Sequence, residues 1–251
     1  MGRLGLKALR RRSVEGVGYP RRRMPPASLP ARLAHHALFR VGLFTLAYML
    51  LAVWGALRSG NREFVFYIVV MLILIASIGV IHARIQLTPG VLWLLSIWGA
   101  LHMAGGLVTV PAGWPVHGDL HVLYNWWIVP GGDAADGEPG GFLKFDQAVH
   151  AFGFAAATWL CWQGLRGALR RPGAPESGVG LQPTFGLMVL VAAAGMGLGA
   201  LNEVIEFAAT RLTETNVGGY VNTGWDLVYN ALGATVAVVI IFFGSRRPPA
   251  L

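Results

Sequence analysis

The stretch FVFYIVVMLILIASIGVI, Phe64 to Ile81, runs for eighteen residues without a charge. A helix on the surface of a soluble domain turns a polar face to water, so a run this long and this evenly apolar reads as a helix crossing a membrane. Lipid offers the backbone no hydrogen-bond partner. The run must therefore close its own N–H and C=O groups as a helix, despite the many Val and Ile that favour strands in water.

Outward from this stretch, five more runs have the same character: Ala37 to Leu57, Val91 to Val110, Phe142 to Leu165, Thr184 to Ala209 and Trp225 to Phe243. The expected fold is all-α, a polytopic membrane bundle of about six transmembrane helices. Composition agrees, since 55% of the 251 residues are hydrophobic and 13% charged, against roughly a quarter charged in a soluble domain. The expected organisation is a basic, disordered cytoplasmic tail over 1–36, a membrane domain over 37–244 with an outer loop at 111–141, and a short cytoplasmic tail over 245–251. Cys161 is the single cysteine, which excludes internal disulfides and cysteine-based zinc sites.

The net charge of +8 is concentrated, with ten of the twenty Lys and Arg in the first forty residues. That is a tail, not a nucleic-acid-binding face, so no nucleic acid is expected. Membrane lipids are the expected partners, and nothing in the sequence specifies a protein partner. Sixteen Lys and Arg fall on the side of the termini and four, Arg58, Arg62, Lys144 and Arg211, on the other. By the positive-inside rule both termini are expected in the cytoplasm. The long outer loop carries Trp114, Tyr124, Trp126 and Trp127, rings that settle at headgroup level. It is expected to form an interfacial or re-entrant cover.

The first two spans are almost free of ionisable groups. The other four carry His102, Asp146, His150, Glu203, Glu206 and Asp226, with Asn202 and Asn230 beside them. Residues three or four apart share a helix face, which aligns Asp146 with His150, Glu203 with Glu206, and Asp226 with Asn230. In the expected topology all of these lie in the outer half of the membrane. Each ionisable group at depth costs about 2.5 to 3.5 kcal/mol, and Lys144 and Arg211, the nearest cations, are expected at the water boundary. Protons, histidinium, water or a bound cation must compensate.

Carboxylates with imidazoles suit a divalent metal ion. The expected ligands are His102, Asp146, His150, Glu206 and Asp226, with Glu203 and Glu206 as catalytic carboxylates and Asn230 as a further polar group of the site. Such a centre could activate water against a lipid or lipid-linked substrate. Two other readings fit the same residues: a proton-coupled transporter or binder of a small amphiphile, and a structural network holding helices together. Asp146 and Asp226, near helix starts, also suit N-caps. Gly195 and Gly199 form a G-x-x-x-G on the fifth span, which predicts close helix packing.

The segments LHMAGG (Leu101 to Gly106), FDQAVHAFGF (Phe145 to Phe154), NEVIEF (Asn202 to Phe207) and WDLVYNALGA (Trp225 to Ala234) resemble the uncharacterised bacterial inner-membrane family typified by YjdF. That family places H-x-x-G-G, D-x-x-x-H, E-x-x-E and D-x-x-x-N-x-x-G on consecutive helices. Relatives often carry a basic residue directly after the first aspartate, where this chain has Gln147. The last three spans are also similar, more weakly, to VanZ-like proteins. The resemblance implies a multi-pass protein of the bacterial plasma membrane and implies no particular activity.

Overall fold

The computed structural model describes residues 29–59, 62–133, 139–169, 181–212 and 219–245. Six long helices account for most of them: α1 (Leu29–Ser59), α2 (Arg62–Ile85), α3 (Pro89–Leu107), α4 (Phe145–Ala168), α5 (Phe185–Leu212) and α6 (Tyr220–Gly244). Five of the six are long and apolar enough to cross a membrane: His36–Arg58, Phe64–Ile85, Pro89–Leu107, Phe185–Arg211 and Tyr220–Gly244. The faces of α1 and α2 display Leu43, Leu46, Leu50, Leu57, Val65, Ile73 and Val80, an apolar expanse that only lipid can cover without cost.

The remaining helix, α4, has 24 residues and so about 36 Å of length. It is less apolar because it bears Asp146, Gln147, His150, Gln163 and Arg166. It can bear them because α3, α5 and α6 pack around it, which leaves Gln147, His150 and Thr158 buried. A helix screened from lipid by its neighbours tolerates polar groups that a lipid-facing helix does not.

Local sequence explains the boundaries. Pro30 and Pro89 stand at the first turns of α1 and α3, where a missing N–H costs nothing. Thr88, ahead of α3, is clamped to the far end of α4: its N–H donates to Gln163 Oε1 at 2.9 Å and Gln163 Nε2 donates to its hydroxyl at 2.7 Å. α1 begins at Leu29, inside the stretch expected to belong to the tail, because Leu-Pro-Ala-Arg-Leu-Ala continues the helix toward its basic end. Residues 1–28 and 246–251, the bulk of both expected tails, lie outside the described residues.

The chain between α3 and α4 differs from the sequence expectation. It folds into one 3₁₀ turn at Leu123–Asn125 and an antiparallel hairpin, β1 (Trp127–Asp133) with β2 (Pro139–Lys144). Phe142, expected as the start of the fourth span, belongs to β2, since Pro139, Gly140 and Gly141 oppose a helix there. Trp127 pairs with Lys144 and Val129 with Leu143. The hairpin is tied to α6 by Tyr229, whose hydroxyl donates to the carbonyl of Phe142 at 2.9 Å.

Small residues let α4, α5 and α6 approach. A side-chain carbon on Gly233 of α6 would collide with the backbone carbonyl of Ala151 on α4, and one on Gly195 of α5 would collide with the Thr158 hydroxyl. These contacts bring the polar faces of the three helices together at the hairpin end. At the opposite end Trp162, Met188, Val191, Val238 and Ile241 form an apolar plug.

Candidate functional site

His150 is the hub. It stands on α4, 5% exposed, with carboxylates on both sides of its ring. Its Nε2 lies 3.5 Å from Asp146 Oδ1 and 3.9 Å from Asp226 Oδ1, and its Nδ1 lies 3.6 Å from Glu203 Oε1. A shorter contact, 3.0 Å, joins Nδ1 to Asn230 Oδ1. Helical spacing produces each pair: Asp146 sits one turn before His150 on α4, and Asp226 one turn before Asn230 on α6. Glu203 and Glu206 share a face of α5.

The four carboxylates fall into two overlapping groups. Potential ligand atoms of Asp146, His150 and Asp226 all lie within 4.8 Å of one another, as do those of His150, Glu203 and Glu206. His102 belongs to neither group. Its ring stands edge-on between Tyr67 and Tyr124, with centroids 6.0 and 5.7 Å away, and its carbonyl accepts a 2.7 Å hydrogen bond from the Tyr124 hydroxyl. Tyr124 comes from the loop over the bundle end, where burial, reinforced by nearby carboxylates, pushes its phenol well above the usual range.

Several polar atoms here are left without partners. Asp226 is fully buried, yet its Oδ1 makes no hydrogen bond among the described residues, and neither carboxylate oxygen of Glu203 makes one. Buried polar atoms are paired in the great majority of cases, and an orphan carboxylate is costly. Three unpaired acidic oxygens around one imidazole are therefore a departure from a structural network, in which each atom would find a mate.

Neither aspartate is an N-cap. α4 is preceded by Lys144 and α6 by Gly219 in the capping position, so Asp146 lies within the first turn and Asp226 is seven residues into its helix. Lys144 also departs from expectation, because it is buried at 7% exposure and does not sit at the water boundary. The hairpin closes over it. Its Nζ donates to Asn222 Oδ1 at 2.5 Å and lies 3.8 Å from Asp146 Oδ2. Gln147 turns back to accept from the Lys144 backbone N–H at 2.8 Å. Lys144, expected at the water boundary, thus brings a counter-ion to Asp146.

Asn222 lies outside the sixth span that the sequence predicts from Trp225. In the structure α6 starts five residues earlier, and Asn222 Nδ2 donates to Asp226 Oδ2 at 2.6 Å. The signal was present as an i, i+4 ladder of Asn222, Asp226 and Asn230. On α5, Asn202 Nδ2 donates to Glu206 Oε1 at 2.7 Å. The balance remains acidic: among the described residues four carboxylates face one ammonium, Lys144.

A match to a family model extends over residues 41–247, which takes in most of α1 and all of α2 to α6. No curated protein and no solved structure matches the chain. With most of its length covered by that one model, the chain belongs to the family described as "Predicted membrane protein (DUF2238)".

Proposed function

We propose that the cluster around His150 is an intramembrane divalent-metal centre that hydrolyses a lipid or lipid-linked substrate. The observation that carries the reading is the placement of His150 Nε2 at 3.5 and 3.9 Å from Oδ1 of Asp146 and Asp226, with Asp226 Oδ1 buried and unpartnered. Ligand atoms about 2.0 to 2.2 Å from one ion stand about 3 to 4 Å apart, so a shared ion needs only small side-chain rotations. One imidazole with two carboxylates suits a borderline or hard ion such as Zn²⁺, Mn²⁺ or Mg²⁺. His102, expected among the ligands, is left out of the proposed set.

Glu203, whose oxygens make no hydrogen bond of good geometry among the described residues, is the general base, and Glu206 beside it is a second carboxylate for proton or metal. An ion held by Asp146, His150 and Asp226 would supply Lewis acidity and lower the pKa of a water beside it; Glu203 would accept that water's proton as its oxygen joins the scissile ester or phosphoester, and would return the proton to the leaving oxygen. The charge bias of the loops supports cytoplasmic termini, and with that orientation the site opens toward the outer leaflet. The YjdF-like motifs support the same site and a bacterial plasma-membrane location.

The test is activity in proteoliposomes containing fluorescent phospholipids and polyprenyl phosphates. Release of product that stops on chelation, returns with added metal and is lost in Glu203→Gln supports the proposal. Turnover indifferent to chelator overturns the metal mechanism. One observation favours a second reading: His150 stands between three carboxylates, an arrangement that also suits a proton relay. Solute uptake that follows a pH gradient and ignores chelator is the outcome that reading predicts.

A further inference from the structure

We infer that Asn230 fixes the tautomer of His150, holding the proton on Nδ1 so that the lone pair of Nε2 faces Asp146 and Asp226. The inference rests on the proposed metal centre for its purpose, and on geometry of its own for its content. A metal-ligating histidine donates its other ring N–H to a fixed acceptor, which sets both tautomer and ring plane. The shortest polar contact of the His150 ring is the 3.0 Å approach of Nδ1 to Asn230 Oδ1. The other group facing Nδ1, Glu203 Oε1 at 3.6 Å, is also an acceptor. On the Nε2 side the contacts of 3.5 and 3.9 Å are longer than an N–H···O hydrogen bond.

The amide's orientation follows from what each end faces, since its buried Nδ2 makes no hydrogen bond among the described residues. Asn230 is 1% exposed, and its Nδ2 end points toward α5 at Gly199. Turning the amide over would direct its carbonyl oxygen at α5, where the Glu203 carboxylate follows one turn later. Gly199 makes the room, since a side-chain carbon there would stand 2.8 Å from Asn230 Nδ2 and 2.9 Å from its Cβ. The G-x-x-x-G of the fifth span thus seats a positioning residue as well as packing helices.

Asn230 is a positioning residue, so its test reads the imidazole directly. Full-length protein labelled with ¹⁵N-histidine, in nanodiscs and free of metal, is compared by NMR with Asn230→Leu, Asn230→Asp and Gly199→Ala. His150→Gln identifies the resonance. Spectra are compared at a pH where the ring carries a single proton; the expected result is that proton on Nδ1 in the wild type and in Asn230→Asp, which keeps the acceptor oxygen. Asn230→Leu and Gly199→Ala should move it to Nε2. Metal affinity, measured with Zn²⁺ and Mn²⁺, should fall 10- to 100-fold in Asn230→Leu and recover in Asn230→Asp. A wild-type ring that carries that proton on Nε2 overturns the inference. So does an Asn230→Leu protein with the wild-type spectrum and affinity. A wild-type chain that binds no metal yet carries its proton on Nδ1 leaves this inference standing and removes the metal centre. Should Asn230→Leu fail to fold, Gly199→Ala decides alone.

Discussion

Replacing Glu203 with methionine is expected to stabilise the metal-free protein while abolishing function. Glu203 is 7% exposed, neither of its oxygens makes a hydrogen bond of good geometry among the described residues, and Oε1 lies 3.6 Å from His150 Nδ1. Leaving a buried polar atom unsatisfied costs about 1 to 3 kcal/mol, more for a charged one, and a carboxylate deep in a bilayer costs a similar amount on insertion scales. Methionine has about the same length and adapts to an irregular gap. After loss of the attraction to His150 is subtracted, the net gain is about 1 to 2 kcal/mol. The assay is reversible unfolding in mixed micelles with chelator present, wild type against Glu203→Met, with Glu203→Gln as the isosteric control. If Glu203 were a structural strut, the methionine variant would lose 1 kcal/mol or more, and the view that function keeps this carboxylate against its stability cost would be wrong.

Other variants probe the neighbouring contacts. Gly233→Ala drives a methyl group into the Ala151 carbonyl and should destabilise the bundle by about 1 to 3 kcal/mol, read as a lower midpoint in the same assay, whereas Gly186→Ala, which meets nothing, should not. Lys144→Met removes the buried cation 3.8 Å from Asp146; a loss of about 3 kcal/mol is expected, and Asp146→Asn should restore part of it in the double variant. Tyr124→Phe deletes the hydroxyl that donates to His102 and should cost about 0.5 to 1.5 kcal/mol. Because the Tyr124 phenol is raised in the folded state, its contribution to stability is complete below the ordinary tyrosine range and is lost as pH rises toward the folded value; the advantage of wild type over Tyr124→Phe should shrink and then reverse as pH climbs above that range. Asp119→Cys, exposed in the loop between α3 and α4, on a Cys161→Ala background, should react with an impermeant maleimide in intact cells, and protection there would reverse the proposed orientation.

Much of this arrangement was legible from residue types and spacing because lipid makes apolarity a strict code. Length and hydropathy located the helices, and the i, i+3 and i, i+4 pairs announced which faces would meet. What spacing could not supply was depth contributed by loops. Lys144 reads as a boundary residue, yet the hairpin folds over it and carries its ammonium to Asp146. The hairpin itself was hidden because Trp127, Ile128 and Val129 look as much like an interfacial belt as a strand, and pairing depends on partners some fifteen residues away. His102 shows the opposite failure. Its place on α3 was legible, but which way a ring turns depends on packing, and Tyr67 and Tyr124 hold it apart from the carboxylates. Asn222 was missed through a boundary error of one helical turn, enough to drop the residue that fixes Asp226.

The most direct measurement is the metal content of the purified full-length chain in mild detergent, by elemental mass spectrometry, for the wild type, His150→Gln and Asp226→Asn. One divalent ion per wild-type chain, reduced to background in both variants with folding retained, is the expected result. A wild-type chain without stoichiometric metal after incubation with Zn²⁺, Mn²⁺ and Mg²⁺, or variants that retain it, would contradict the assignment of His150, Asp146 and Asp226 as ligands.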